Sequence, residues 1–251
     1  TVTPTKTDTV VTTKPPTDNY KDPAAYGTPF DKVPDTKDIV MYEVNLRSFS
    51  VSHNFKGVQD RLDSIKALGV NTIWLMPTYP VGLLELAGGL GSPYAVKDYN
   101  GVNAEIGKLD DLRALVAEAH NRNMAVIMDW VADHTSWDNA WITNKSWYKQ
   151  DGSGNIVSPP GTGWNDVAAL DYTNSAMRTA MIRAMKFWVL TANVDGYRCD
   201  AVDFVPDDFW KQTLDTLNKF NNRKLILLAE GVKQSMFTSG FQMTYAFDFY
   251  S

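Results

Sequence analysis

From residue 39 onward, short apolar runs alternate with stretches whose apolar positions recur at helical spacing. Residues 39–44 and 70–76 read as strands, the second closed by Pro77. Between them Leu62, Ile65 and Leu68 predict a helix over 58–68, with Gly69 as its stop. The Gly/Pro-rich stretch 78–107 has no period and predicts a long loop, a length usually reserved for function. Leu112, Leu115, Val116 and Ala119 share one face of a predicted helix over 109–121, and a third strand follows at 125–130. A second irregular stretch, 131–174, holds Trp137, Trp141, Trp147 and Trp164 and predicts a small domain inserted after strand three. Then come a helix at 175–190, a strand at 194–198, a helix at 207–220, a strand at 225–229 and a sixth strand at 242–249. Strands alternating with helices predict a parallel sheet with right-handed crossovers, hence an α/β fold. No Gly-rich phosphate fingerprint follows strand one, which argues against a dinucleotide-binding domain and leaves a flavodoxin-like sheet as the structural alternative.

Ahead of this pattern, residues 1–37 are rich in Thr, Pro, Asp and Lys and poor in aliphatic side chains. Such a stretch buries too little apolar area to offset its ordering entropy, so it reads as a linker or stalk, with Tyr26 to Phe30 expected to lie on the domain formed by 38–251. A Thr/Pro stalk is a compositional pointer to a secreted, cell-surface or periplasmic protein. No leader-type sequence opens the chain as given, and no apolar run is long enough for a transmembrane segment. The net charge of -5 and the lack of a basic stripe exclude a nucleic-acid partner. Cys199 is the single cysteine, so no intrachain disulfide exists.

Candidate chemistry sits at the ends of the core strands. Strand three ends in Asp129 and runs into Asp133-His134, strand four in Arg198 and Asp200, and strand five in Glu230. Charges at three successive strand ends are costly to bury unpaired and point to a site at the C-terminal mouth of a parallel sheet. Arg198 lies on the same face of its strand as Asp200 and is expected to hold that carboxylate ionised, lowering its pKa. Glu230 follows five apolar residues, and partial desolvation is expected to raise its pKa toward that of a general acid. A purely structural ion pair between Arg198 and one of these acids is the alternative reading.

Four segments carry a family resemblance. Asp129-Trp130-Val131-Ala132-Asp133-His134 resembles the first signature of the α-amylase family of glycoside hydrolases. Gly196-Tyr197-Arg198-Cys199-Asp200-Ala201 resembles the second, and Ala229-Glu230-Gly231 the third. Gly91-Ser92-Pro93-Tyr94-Ala95-Val96-Lys97-Asp98-Tyr99 resembles the loop after strand two. All four stand in the family's order. The resemblance implies a (β/α)8 barrel of TIM type and a retaining mechanism on α-1,4-glucosidic bonds of starch-type glucans or maltooligosaccharides. It makes Asp200 the nucleophile and Glu230 the general acid, with Arg198 orienting the nucleophile. His134 would bond the sugar, Tyr94 would form its stacking floor, and Asp129 would lie as a buried acid beneath the site.

Three departures qualify the resemblance. Asp133 stands where the family usually has Asn as a calcium ligand; a calcium held by Asp133 and Asp171 is the one cofactor implied, and no organic cofactor is expected. Asp203-Phe204 replaces a Lys-His pair, which alters the expected contacts to the sugar on the leaving side. The family's fourth signature, which supplies a third carboxylate, is not found, and six strands are counted where a closed barrel needs eight. The expectation is therefore an incomplete barrel, unstable and inactive or only weakly active alone, whose missing strands belong to a longer enzyme or come from a second chain or fragment. A transglycosylase on the same scaffold and a noncatalytic α-glucan-binding module are the alternative functions. Asn144-Lys145-Ser146 matches a glycosylation sequon, and the segment from Asp151 to Asn155 spaces its oxygens like a calcium loop but reads better as a surface turn.

Overall fold

The computed structural model describes residues 19–219 and 223–250. In chain order its elements are β1 (Met41–Val44), α1 (Leu46–Phe49), α2 (Phe55–Gln59), α3 (Leu62–Ala67), β2 (Thr72–Leu75), α4 (Leu109–Asn121), β3 (Ala125–Val131), β4 (His134–Ser136) and β5 (Val167–Ala169). There follow α5 (Ser175–Thr191), β6 (Gly196–Asp200), α6 (Asp207–Lys219), β7 (Ile226–Ala229), α7 (Ser235–Ser239), β8 (Met243–Thr244) and α8 (Phe247–Tyr250). Six strands form one all-parallel sheet in the order β1-β2-β3-β6-β7-β8, and the short pair β4-β5 is antiparallel. The six-stranded sheet curls into a half-barrel, the arrangement of an incomplete (β/α)8 barrel.

Strand parity sorts the side chains into two layers. On one side, Ile73, Leu75, Val126, Met128, Trp130, Tyr197, Cys199 and Leu227 join the apolar faces of the helices in the main core. On the concave side, Trp74, Ala125, Ile127 and Ile226 form a smaller cluster with Val33, flanked by Met41, Met243 and Tyr245. Asp129 and Arg198 share the parity of this inner layer, directly opposite each other in the β3–β6 register. Val131 opposes Asp200 two residues further along, at the C-terminal mouth.

Helix α4 forms where the spacing predicted it. Leu112, Leu115, Val116 and Ala119 are buried, and Asp111 accepts a hydrogen bond from the Lys108 N–H at its start. In α5 the Asn174 side chain accepts from the N–H groups of Ala176 and Met177. The helix expected over 58–68 is instead two short ones. Asn54 caps an earlier start at Gly57 N–H, and Arg61, at φ -109 ψ 2, breaks the run. Leu68, expected on the buried face, is the helix C-cap and is largely exposed. The sixth strand is a second correction. The Gln242 side chain occupies the backbone partners Leu227 N–H and Leu225 C=O, pairing starts only at Met243, and the chain turns helical at Phe247.

The described part of the Thr/Pro-rich segment lies against the barrel. Tyr26 N–H donates to the Leu190 carbonyl, the Arg113 guanidinium sits over the Tyr26 ring, and Phe30 stacks on His120 at 4.3 Å. His120 in turn bonds Asp195 at 2.7 Å, and Asp195 also accepts the Val126 N–H. Residues 1–18 lie outside the described residues. Among the described residues no helix is long and apolar enough to cross a membrane.

Candidate active site

Two adjacent strand ends deliver Asp200 and Glu230 to one cleft of about 290 Å³, which Ser92, Tyr94, His134, Trp164 and Asp166 also line. Strand β6 ends on Asp200 and β7 on Ala229, paired with Cys199, so Glu230 follows level with Asp200. Gly196 makes this pairing possible. Its φ is +144°, and a Cβ there would lie 1.9 Å from the Ile226 carbonyl oxygen. Only glycine permits β6 to approach β7 so closely.

Beneath the cleft Arg198, 4% exposed, binds all three acids. Its Nη1 donates to Asp129 at 2.9 Å and to Asp200 at 2.7 Å, and its Nη2 lies 2.9 Å from Glu230. Asp129, fully buried, also accepts from Trp74 Nε1 at 3.0 Å and from the Tyr94 hydroxyl at 3.3 Å. Arg198 Nε donates to the Tyr245 hydroxyl at 3.2 Å, and the guanidinium lies over the Trp74 ring. Glu230 accepts the Ala201 N–H at 3.0 Å, an N–H aimed by a left-handed backbone at Ala201 (φ 44, ψ 43). That conformation strains a residue with a Cβ, and it sits directly after the proposed nucleophile.

One guanidinium for three carboxylates decides the proton balance. Burial pushes Asp129 up to about 7 despite Arg198. Asp200 is raised above the ordinary carboxylate range as well, by burial first and by the negative charge of Asp129 second. This reverses the expectation that Arg198 lowers Asp200: its charge is divided among the cluster, and removal from water outweighs its share. The Tyr94 hydroxyl is raised by burial and by Asp129. Burial disfavours a charged His134, but Asp133, 2.8 Å from its Nδ1, outweighs this and raises it. Its Nε2 donates to the Tyr94 carbonyl at 3.1 Å, so both ring nitrogens face acceptors and the ring is fixed against the tyrosine.

The structure thus gathers Asp129, Arg198, Asp200, Glu230, Tyr94 and His134 into one connected network. Asp133 joins it only through His134. Asp171 spends its Oδ1 on the N–H and hydroxyl of Thr173, and the two carboxylates share no hydrogen-bond partner. Although Asp133 Oδ1 is buried without a partner, no group of three or more His, Cys, Asp or Glu side chains suited to a metal forms among the described residues. Asp151 turns its carboxylate onto the N–H groups of Ser153 and Asn155.

A sequence model described as "Alpha amylase, catalytic domain" matches residues 28–154. The chain belongs to the alpha-amylase family. It is 29% identical over 207 residues to "Alpha-amylase 3" of Dictyoglomus thermophilum, covering 70% of this chain and 40% of that protein. It is 31% identical to a trehalose synthase/amylase of Mycobacterium tuberculosis, covering 67% of this chain and 33% of that one. The crystal structure of an alpha-amylase from Lactobacillus plantarum superposes with a TM-score of 0.80 at 35% identity, over 85% of this chain and 54% of that chain. The chain therefore spans well under half the length of these two curated relatives.

Trp74 and Tyr245 escaped the sequence reading, because neither belongs to a quoted motif and their places depend on strand register. Of the four tryptophans singled out in 131–174, Trp164 lines the cleft. Trp137, Trp141 and Trp147 are partly buried against the main core.

Proposed function

We propose that this alpha-amylase-family site is that of a retaining glycoside hydrolase acting on α-1,4-linked glucans or maltooligosaccharides. Asp200 attacks the anomeric carbon. The bond to the leaving oxygen breaks as Glu230 gives that oxygen its proton. Water then attacks the glycosyl ester, Glu230 takes back a proton, and Asp200 is released. The observation that carries this reading is the Arg198 fork on both carboxylates. A single guanidinium holding both acids favours the short separation of retaining enzymes, about 5–5.5 Å, over the roughly 6.5–9.5 Å that inversion needs. Tyr94 and His134 then bound the sugar at the cleavage point, and Arg198 and Asp129 hold the nucleophile from below. No step runs through a metal or an organic cofactor.

The test is hydrolysis of maltohexaose by the chain and by a longer form that carries the remaining strands of the barrel. The expected result is measurable cleavage by the longer form, weak or none by the chain alone, which Asp200→Asn abolishes and Glu230→Gln lowers by roughly 10²–10⁴-fold. Cleavage that persists undiminished in Asp200→Asn rules the assignment out. Transfer to a sugar acceptor proceeds through the same intermediate and appears as products longer than the substrate. The trehalose synthase/amylase relative makes this the second reading.

A further inference from the structure

A guanidinium beside a buried carboxylate often closes on it as a fork, with two parallel N–H groups on two oxygens. Arg198 and Asp129 are buried and stand opposite each other in the β3–β6 register, yet they do not pair this way. Arg198 Nη1 donates to Asp129 Oδ1 at 2.9 Å, and the second oxygen of the acid is engaged elsewhere.

Two aromatic residues account for the open pairing. Asp129 Oδ2 accepts from Trp74 Nε1 at 3.0 Å and from the Tyr94 hydroxyl at 3.3 Å, which takes up both lone pairs of that oxygen. On the cation, Arg198 Nε donates to the Tyr245 hydroxyl at 3.2 Å. One oxygen of the acid and one N–H of the arginine are thus withdrawn from a fork. The rings also fix the guanidinium in place, its central carbon lying 4.9 Å from the Trp74 centroid and 5.7 Å from that of Tyr245. Trp74 is itself held from the base of the sheet, in the cluster it shares with Val33, Ile127 and Ile226. The N–H groups left over reach the acids of the cleft. Nη1 donates to Asp200 at 2.7 Å, and Nη2 lies 2.9 Å from Glu230.

We propose that Trp74 and Tyr245 are positioning residues: by occupying Asp129 Oδ2 and Arg198 Nε they keep Arg198 from closing on Asp129, and so leave it to hold Asp200 and Glu230. Neither side chain lines the cleft, so their effect on the reaction passes through the arginine. What they supply is the orientation of the nucleophile, and a small misplacement there is costly to rate. The consequence for turnover rests on the hydrolase reading above; the pairing of the arginine does not.

The test is made in the longer form that carries the remaining strands of the barrel. Trp74→Phe keeps a ring against the guanidinium and removes the N–H, and Tyr245→Phe keeps the ring and removes the hydroxyl. In crystal structures of both variants Arg198 is expected to bind Asp129 as a fork and to have left Asp200. On maltohexaose, kcat per folded molecule is expected to fall about 10²-fold, with KM within about twofold of the parent. Circular dichroism gives the folded fraction, so a loss of folded protein is not read as a loss of rate. If one variant fails to fold, the other decides. An Arg198 that still bonds Asp200 without forking onto Asp129 overturns the proposal, as does full turnover in a variant whose fork has closed. A parent that cleaves nothing sinks the hydrolase reading instead, and the crystal structures still judge the arginine's pairing.

Discussion

Arg198 shows how few charges decide the behaviour of the site. Three carboxylates meet one guanidinium, two of them withdrawn from water, so the cluster retains a proton at pH values where free carboxylates have lost theirs. The folded chain keeps Asp129 protonated up to about 7, whereas the unfolded chain releases that proton near 4. The folded state therefore binds more protons in this window, and its stability falls as pH rises from about 4 to about 7. Asp200, also raised, adds in the same direction. Surface acids held low by partners, such as Asp63 beside Arg122 and Asp208 beside Arg178, have ionised before the window opens. Urea midpoints measured across this range should decline for the parent, and Asp129→Asn should flatten the decline. A slope unchanged in that variant would place the titrating group elsewhere.

Among the elements, the β6–β7 pairing is the most exacting. Gly196→Ala places a methyl group against the Ile226 carbonyl in a backbone conformation that alanine resists. It should destabilise the chain by about 3 kcal/mol or more, read from denaturant unfolding, and any folded remainder should lose its Asp200–Glu230 register. What sequence could and could not show divides along the same line. Helix α4 was legible to the residue because local spacing and Asp111 dictate it. The acids at the strand ends were legible because apolar runs lead into them, and each strand needs only its own residues to be recognised. The split of α2 from α3 turned on the backbone of one residue, Arg61. Trp74 meets Asp129 across 55 positions of sequence, and Tyr245 meets Arg198 across 47; both contacts exist only after the strands have chosen their neighbours. The raised Asp200 was missed for a related reason. Spacing shows which cation lies near an acid, but not how many other acids share it.

At the scale of the whole molecule, the described sheet has two edges, β1 and β8, where a closed barrel would have none. The chemistry avoids them. Asp129, Arg198 and Asp200 stand on β3 and β6, each flanked by neighbours on both sides, and Glu230 follows β7, which β8 covers. This order sets a sequence of opening events. Amide hydrogens of β1 and of the two-residue β8 should exchange with deuterium first, through local fraying. Those of β3 and β6 should exchange last, with protection close to that of global unfolding. A deuterium time course by mass spectrometry reads this directly, and β6 amides exchanging as fast as those of β1 would contradict it. The strand order therefore ties the lifetime of the site to that of the fold: whatever loosens the rim, the acids and their arginine come apart only when the sheet itself does.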